Sequence, residues 1–233
     1  MTMDAFPPGF RALVIGGSGA IGAALVAQLQ ALPQQAQVVA LHRHSAPPLD
    51  FGHETSIAEA AAALADQAPF HLIVNAAGLL HTPRFMPEKK LADLHYAQME
   101  ETFRVNTFGP AMVIRHFAPL LARRHGVLAM LSAKVGSIED NRLGGWYSYR
   151  ASKAALNMMV KTAAIEIARS KPEAIVIALH PGTVKSALSQ AFRGGEAGRA
   201  PEQAAAELLG VIGKLSPADS GKFFSWNGDT LPW

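Results

Sequence analysis

The stretch Ala12-Leu-Val-Ile15-Gly16-Gly17-Ser18-Gly19-Ala20-Ile21-Gly22-Ala23-Ala-Leu-Val-Ala-Gln-Leu29 decides how this chain is read. A short apolar run passes through a cluster of glycines and opens at once into a helical pattern. Glycines at a strand-to-helix turn let the backbone approach an anion closely, and the first free N–H groups of the helix then face that anion. A glycine cluster alone could be only a tight turn. What surrounds it determines whether it is more.

Outward from this turn, short β-rich apolar runs alternate with longer helical patterns. The runs are Ala12–Ile15, Gln37–Leu41, His71–Val74, Val127–Leu131, Ala174–Leu179 and Lys222–Trp226. Helical patterns are expected over 21–32, 56–67, 91–121, 151–169 and 202–213. Continuous apolar strands separated by helices predict a parallel sheet covered on both faces. With right-handed crossovers this is an α/β fold with a single doubly wound parallel sheet of Rossmann type. The sheet uses the whole length, so residues 1–233 are expected to form one domain. The segment 151–168 is apolar or small on nearly every face, which predicts burial on more than one side. One side suits the sheet and the other a subunit partner, as in a homodimer or homotetramer; a covering loop is the alternative.

Composition sets the outer limits. The 233 residues are 49% hydrophobic and 17% charged, within the ordinary globular range. There is no cysteine, which excludes a disulfide scaffold, a zinc–thiolate site, an iron–sulfur cluster and thiol catalysis. The 21 basic residues nearly balance 18 acidic ones, and no run of Lys or Arg exceeds two. No nucleic-acid partner is expected from such a pattern. The amino-terminal residues have no basic-then-apolar leader pattern. The charge-free segment from Ala12 to Gln37 is interrupted by glycines, Pro33 and glutamines, so it does not read as a membrane span. A soluble, cytoplasmic chain is the expectation.

The end of the second strand bears on the choice of dinucleotide. An acid there would suit the ribose hydroxyls of NAD, whereas a basic residue suits the 2′-phosphate of NADP. The chain reads Leu41-His42-Arg43-His44, which predicts NADP(H). His42 and His44 have no third ligand nearby, so a metal is not expected. Further on, Tyr149 and Lys153 are four residues apart on one predicted helix face, where their heads can share a site. A tyrosine hydroxyl is a weak acid–base group near neutrality, and an adjacent ammonium lowers its pKa toward the useful range.

Taken in order, the glycine loop, Asn75-Ala76-Ala77-Gly78, Val105-Asn106-Thr107, Leu131-Ser132-Ala133 and Tyr149-Arg-Ala-Ser-Lys153 resemble the short-chain dehydrogenase/reductase family. The stretches Asn141–Lys153 and Trp226–Trp233 look most like its C-factor-like branch. The resemblance implies hydride transfer between NADP(H) and a small carbonyl or alcohol substrate. It implies that Gly16, Ser18, Gly19, Ala20, Ile21, Gly22, His42, Arg43, Asn75, Ala76, Ala77 and Gly78 hold the cofactor, with Asp50 beside the adenine. Pro181, Gly182, Thr183 and Val184 would lie against the nicotinamide. Tyr149 and Lys153 would act as acid/base and pKa-lowering residue and would also contact the cofactor. Asn106 would hold a water linking the lysine to solvent; the plainer reading is an asparagine that caps or bends its helix.

Departures from the family pattern are visible. Ile15 stands where family members commonly have Thr, and Ala20 where many have a glycine. The position three residues before Gly136, normally a carbonyl-polarising serine, is Ala133. Ser132 is its nearest substitute, but neighbouring strand residues face opposite ways. This keeps open an NADP(H)-binding signalling or sensor protein with little catalysis, and an epimerase- or dehydratase-type use of the fold. On the substrate side, Leu79, Leu80 and Trp146 are expected to form an apolar wall with a glycine-rich span, Ser186–Ala200, as a lid.

Overall fold

The computed structural model describes Met3, residues 5–192 and residues 194–233. Met1, Thr2 and Asp4 of the amino-terminal stretch and Arg193 of the glycine-rich span lie outside it. The strands are β1 (Arg11–Ile15), β2 (Gln37–Leu41), β3 (Leu72–Asn75), β4 (Val127–Leu131), β5 (Ile175–His180) and β6 (Phe223–Ser225). The α-helices are α1 (Ala20–Gln30), α2 (Glu54–Ala63), α3 (Tyr96–Phe103), α4 (Gly109–Phe117), α5 (Tyr147–Ser170), the short α6 (Gly194–Ala197) and α7 (Pro201–Ile212).

All six strands pair in parallel in the order β2-β1-β3-β4-β5-β6. Alternation along each strand divides the core in two. Leu13, Ile73, Leu128, Met130 and Val176 face a layer made by α2, α4 and α5. Ala12, Val14, Val74, Ala129 and Ile177 face α1 and α7, with Phe6 and Phe10 beneath them. Residues of both strand sets are fully buried, which is why the strands read as unbroken apolar runs. The chain order reverses at β1, which lies between β2 and β3. In sheets of this kind ligand crevices open at the carboxyl ends of the strands, beside such a reversal.

The expected single helix over 91–121 is not continuous. A 3-10 turn (Leu91–Asp93) precedes α3, and a π-helical segment (Arg104–Phe108) separates α3 from α4. The cause is a long-range contact centred on Asn106, described below. Asymmetric insertions of this kind often mark functional positions. The covering-loop alternative for α5 is not seen: Leu156, Val160 and Ala164 pack on the sheet, whereas Met158, Met159 and Ile165 are exposed on its other face.

Candidate active site

Three loops converge on the carboxyl ends of β1, β3 and β4. The first is the glycine turn. The N–H groups of Gly16 and Gly17 both donate to Leu41 O, at 2.8 and 3.1 Å, and Gly19 N–H donates to Gly16 O at 3.0 Å. Gly16 has φ +83°, and a Cβ there would lie 2.8 Å from the Ala77 backbone nitrogen. A Cβ on Gly22 would fall 2.1 Å from Gly16 O. Both glycines are therefore demanded by backbone-on-backbone contact. Gly19, the amino-terminal cap of α1, has an ordinary φ of −77° and no side-chain cap bond. Its neighbours Ser18, Ala20 and Ile21 complete the loop around that unpaired helix start.

The second loop follows β3. Ala76 N–H donates to Ile15 O at 2.8 Å, fastening it to β1. Asn75 is buried, and its Oδ1 accepts from Ala77 N–H at 3.2 Å, so its side chain shapes the turn. Asn106 reaches this loop from the π segment: Oδ1 accepts from Leu79 N–H and Nδ2 donates to Leu79 O, each at 2.7 Å. Nδ2 also lies 3.1 Å from Ser152 Oγ on α5, and Thr107 Oγ1 donates to Ser152 O at 2.8 Å. Asn106 thus ties helix, loop and α5 together, with both arms of its amide engaged; this is the geometry of the helix-bending asparagine.

Lys153 is buried, and its Nζ donates to Leu131 O at 3.0 Å. A Cβ placed on Gly78 would lie 3.6 Å from Lys153 Nζ and 3.7 Å from Asn106 Oδ1, so Gly78, Lys153 and Asn106 share one small space. Lys153 Nζ is 6.0 Å from the Tyr149 ring centroid. Burial pushes the Tyr149 hydroxyl up to about 12 and the Lys153 ammonium down to about 8. The lowering expected for Tyr149 is therefore not seen, because desolvation governs each group and the ammonium is spent on the Leu131 carbonyl. Linkage gives a testable consequence. A lysine lowered to about 8 when folded and near 10.4 when unfolded binds fewer protons in the native state across that interval. Stability should then rise between about pH 8 and 10, by at most about 3 kcal/mol. Denaturant unfolding of wild type against Lys153→Met checks this; an equal rise in both would remove Lys153 as its source.

The structure turns the third candidate away from Tyr149. Ser132 continues the alternation of β4, so it faces α5 as Met130 does. Its buried Oγ donates to Asn157 Oδ1 at 2.7 Å. Asn157 is two helical turns beyond Tyr149, roughly 12 Å along the axis. The hydroxyl expected to polarise a carbonyl is thus bonded elsewhere, and Ala133 offers none.

Among the remaining candidates, Arg43 is exposed at the end of β2, and none of the ion pairs among the described residues involves it. The turn after β2 is shaped by Ser45, whose Oγ accepts from His42 N–H at 2.8 Å, while His42 Nδ1 accepts from His44 N–H. Asp50 Oδ1 accepts from Gly52 N–H at 2.9 Å, capping the approach to α2. Gly182 has φ +71°. Pro181 O accepts from the Arg199 guanidinium, Thr183 O from Arg199 N–H at 3.0 Å, and Val184 is buried and bridges Arg199.

Two residues that the sequence did not single out organise this region. Arg199 also pairs with Glu207, and its guanidinium lies 3.7 Å from the Trp226 ring centroid, pinning Pro181–Val184 to α7. Glu88 is a buried carboxylate that accepts from Ser148 N–H at 3.2 Å and from Ser148 Oγ, closing the start of α5. A carboxylate is well placed at a helix amino-terminus. Neither has a local sequence signal: Glu88 precedes Ser148 by 60 residues, and Arg199 lies in a glycine-rich span.

Fold and site together define a doubly wound α/β protein whose candidate catalytic side chains are gathered at the carboxyl ends of its strands, beside the point where the strand order reverses. Comparison with known proteins makes this specific. The profile of the family described as short chain dehydrogenase matches residues 45–197. The chain is 34% identical over 187 residues to 1-hydroxy-2-glutathionyl-2-methyl-3-butene dehydrogenase of Rhodococcus sp. (strain AD45), covering 80% of this chain and 79% of that one. It is 37% identical over 147 residues to C-signal of Myxococcus xanthus, covering 61% and 83%. An NADPH-bound carbonyl reductase from chicken fatty liver superposes with a TM-score of 0.84 at 25% identity, over 98% of this chain and 96% of that one. The chain belongs to the short-chain dehydrogenase family, on the side that includes C-signal.

Proposed function

We propose that the protein is an NADP(H)-dependent oxidoreductase that interconverts a small carbonyl compound and its alcohol. The observation that carries this reading is the meeting of Tyr149, Lys153, Asn106 and Gly78 beside a glycine turn that only Gly16 and Gly22 can make. The residues present suit a dinucleotide. Gly16 and Gly22 keep the backbone low, the start of α1 offers unpaired N–H groups to a pyrophosphate, and Arg43 stands exposed for a 2′-phosphate. The carbonyl reductase neighbour is described as NADPH-bound, which supports the same choice.

When bound, the cofactor supplies a hydride to the carbonyl carbon or takes one from the alcohol. The chain supplies the rest. Tyr149 gives its phenolic proton to the developing alkoxide and recovers it from solvent. Lys153, mostly protonated at pH 7 with a pKa about 8, keeps a positive charge within 6.0 Å of the phenol ring, where it favours the phenolate left once the proton has gone. Asn106 fixes the loop after β3 so that Gly78 leaves room for the Lys153 ammonium. Pro181–Val184, held by Arg199, closes the nicotinamide side. The test is NADPH oxidation with a panel of aldehydes and ketones; a panel that gives no turnover would sink the proposal. Arg43→Glu should cost NADPH about tenfold or more in kcat/KM while sparing NADH, since it removes one charge-assisted contact and adds repulsion. Equal losses with both cofactors would mean that Arg43 does not meet the 2′-phosphate.

A second reading is favoured by one observation. With Ala133 in place of a serine and the Ser132 hydroxyl on Asn157, a preorganised donor is missing, and such a donor is typically worth about 10²–10³ in rate. A weakly catalytic NADP(H)-binding protein with a signalling role fits that handicap, and similarity to C-signal supports it. NADPH binding by titration without turnover on any carbonyl would decide for it.

The apolar face of α5, with Met158, Met159 and Ile165 exposed, supports a homodimer or homotetramer. Light scattering should give a multiple of the chain mass that falls to the monomer in Met159→Glu. A monomeric wild type would refute it.

A further inference from the structure

Three aromatic rings run outward from the proposed proton donor. Trp146 stands edge-on to Tyr149 with centroids 6.2 Å apart, Phe192 meets Trp146 edge-on at 5.2 Å, and His81 meets Phe192 at 5.7 Å. These rings come from separate segments: the loop after β3, the start of α5 and the span between β5 and α6. His81 Nε2 lies 3.3 Å from Ala187 O, joining the first segment to the last. Ser186 and Ser189 close a turn in that span by reciprocal backbone and hydroxyl bonds.

The Trp146 backbone is held under constraint. It has φ +54°, a left-handed conformation that a bulky residue rarely adopts, directly after Gly144 and Gly145 at +62° and +65°. Its N–H donates to Glu88 O at 2.5 Å. Arg150 wraps the same turn, with Nε 2.9 Å from Gly145 O and Nη1 3.2 Å from Val135 O. A left-handed tryptophan fastened from two sides is a local strain, and such strain gathers at sites where a side chain must be aimed. Here the aim is at Tyr149.

We infer that Trp146, Phe192 and His81 form a recognition subsite for a planar aromatic or conjugated group on the substrate, placing its carbonyl at Tyr149. The inference rests on the proposed role of Tyr149 for its orientation, but the ring preference can be measured without turnover. Edge-to-face and offset contacts favour an aromatic group over a saturated ring of similar size. Phe192 already makes against Trp146 the kind of contact that a substrate ring would share. The indole of Trp146 and the phenyl ring of Phe192 give the wall its apolar faces, so it selects by shape and π-face, with the His81 imidazole at its outer end engaged by Ala187 O.

The experiment measures binding of benzamide and cyclohexanecarboxamide to the NADP-saturated protein by calorimetry, and in parallel the reduction of benzaldehyde and cyclohexanecarbaldehyde. Wild type should bind benzamide about threefold to tenfold more tightly, and Trp146→Leu and Phe192→Leu should each erase most of that preference. Phe192→Leu serves where the Trp146 substitution disturbs the start of α5. An aromatic preference in binding with no turnover of either aldehyde upholds the subsite and overturns the reductase reading. Turnover of both aldehydes without preference, a preference that survives both substitutions, or no binding of either amide overturns the subsite.

Discussion

Tyr149→Phe should lower kcat for carbonyl reduction by about 10²–10⁴-fold and change NADPH affinity far less. The substitution removes only the phenolic oxygen. The ring keeps its packing against Trp146, and Lys153 keeps its bond to Leu131 O, so the site retains its shape. The loss should therefore fall on kcat, as for a group that acts only in the transition state. Stopped-flow measurement of hydride transfer, beside a fluorescence titration of NADPH, separates the two effects. A kcat within a factor of about two of wild type would mean that another group delivers the proton. Because burial holds the hydroxyl near 12, the wild-type rate should not gain from a free phenolate below that pH.

Gly22→Ala should reduce kcat/KM for NADPH by about 100-fold, on the scale of an ångström-level misplacement at a binding loop. Inside α1 an alanine would ordinarily favour the helix by about 1 kcal/mol. Here its Cβ would meet Gly16 O at 2.1 Å and Gly17 Cα at 3.1 Å, both backbone, so the glycine turn must move. Gly19 offers the contrast: a Cβ there meets nothing nearer than 3.4 Å, so Gly19→Ala should leave the fold intact. Circular dichroism melting and NADPH titration of both variants check the pair. If Gly22→Ala bound NADPH as wild type does, the turn would not be the cofactor's cradle.

Much of this architecture was legible because β1, β3, β4 and β5 are buried on both faces. Ala12–Ile15 and Val127–Leu131 could be read as parallel strands from apolar continuity alone. The single sheet followed from their alternation with helices. The glycine turn was legible for a related reason, since Gly16 and Gly22 are required by local backbone contact. Features set by partners distant in sequence could not be seen. The break at Arg104–Phe108 depends on Leu79, reached by Asn106 from 27 positions away. The direction of the Ser132 hydroxyl depends on Asn157, and composition says nothing of that. Glu88 looks like an ordinary surface carboxylate until Ser148 is folded against it. Tyr149 and Lys153 could be paired by helical spacing, but spacing carries no information on desolvation, which here governs both groups.

The order of strands has a consequence for how such a molecule can change. The glycine turn is welded to β1, β2 and the loop after β3 through backbone atoms, so a side chain at Gly16 or Gly22 is felt by all three. Trp146, Phe192 and His81 hang from connections at the rim, and their side chains carry no strand. Replacement of Phe192 and His81, which cap no helix, would redirect the protein to other compounds while the glycine turn stays as it is. Duplicated copies of this gene could thus diverge in what they act on while their cofactor stays the same.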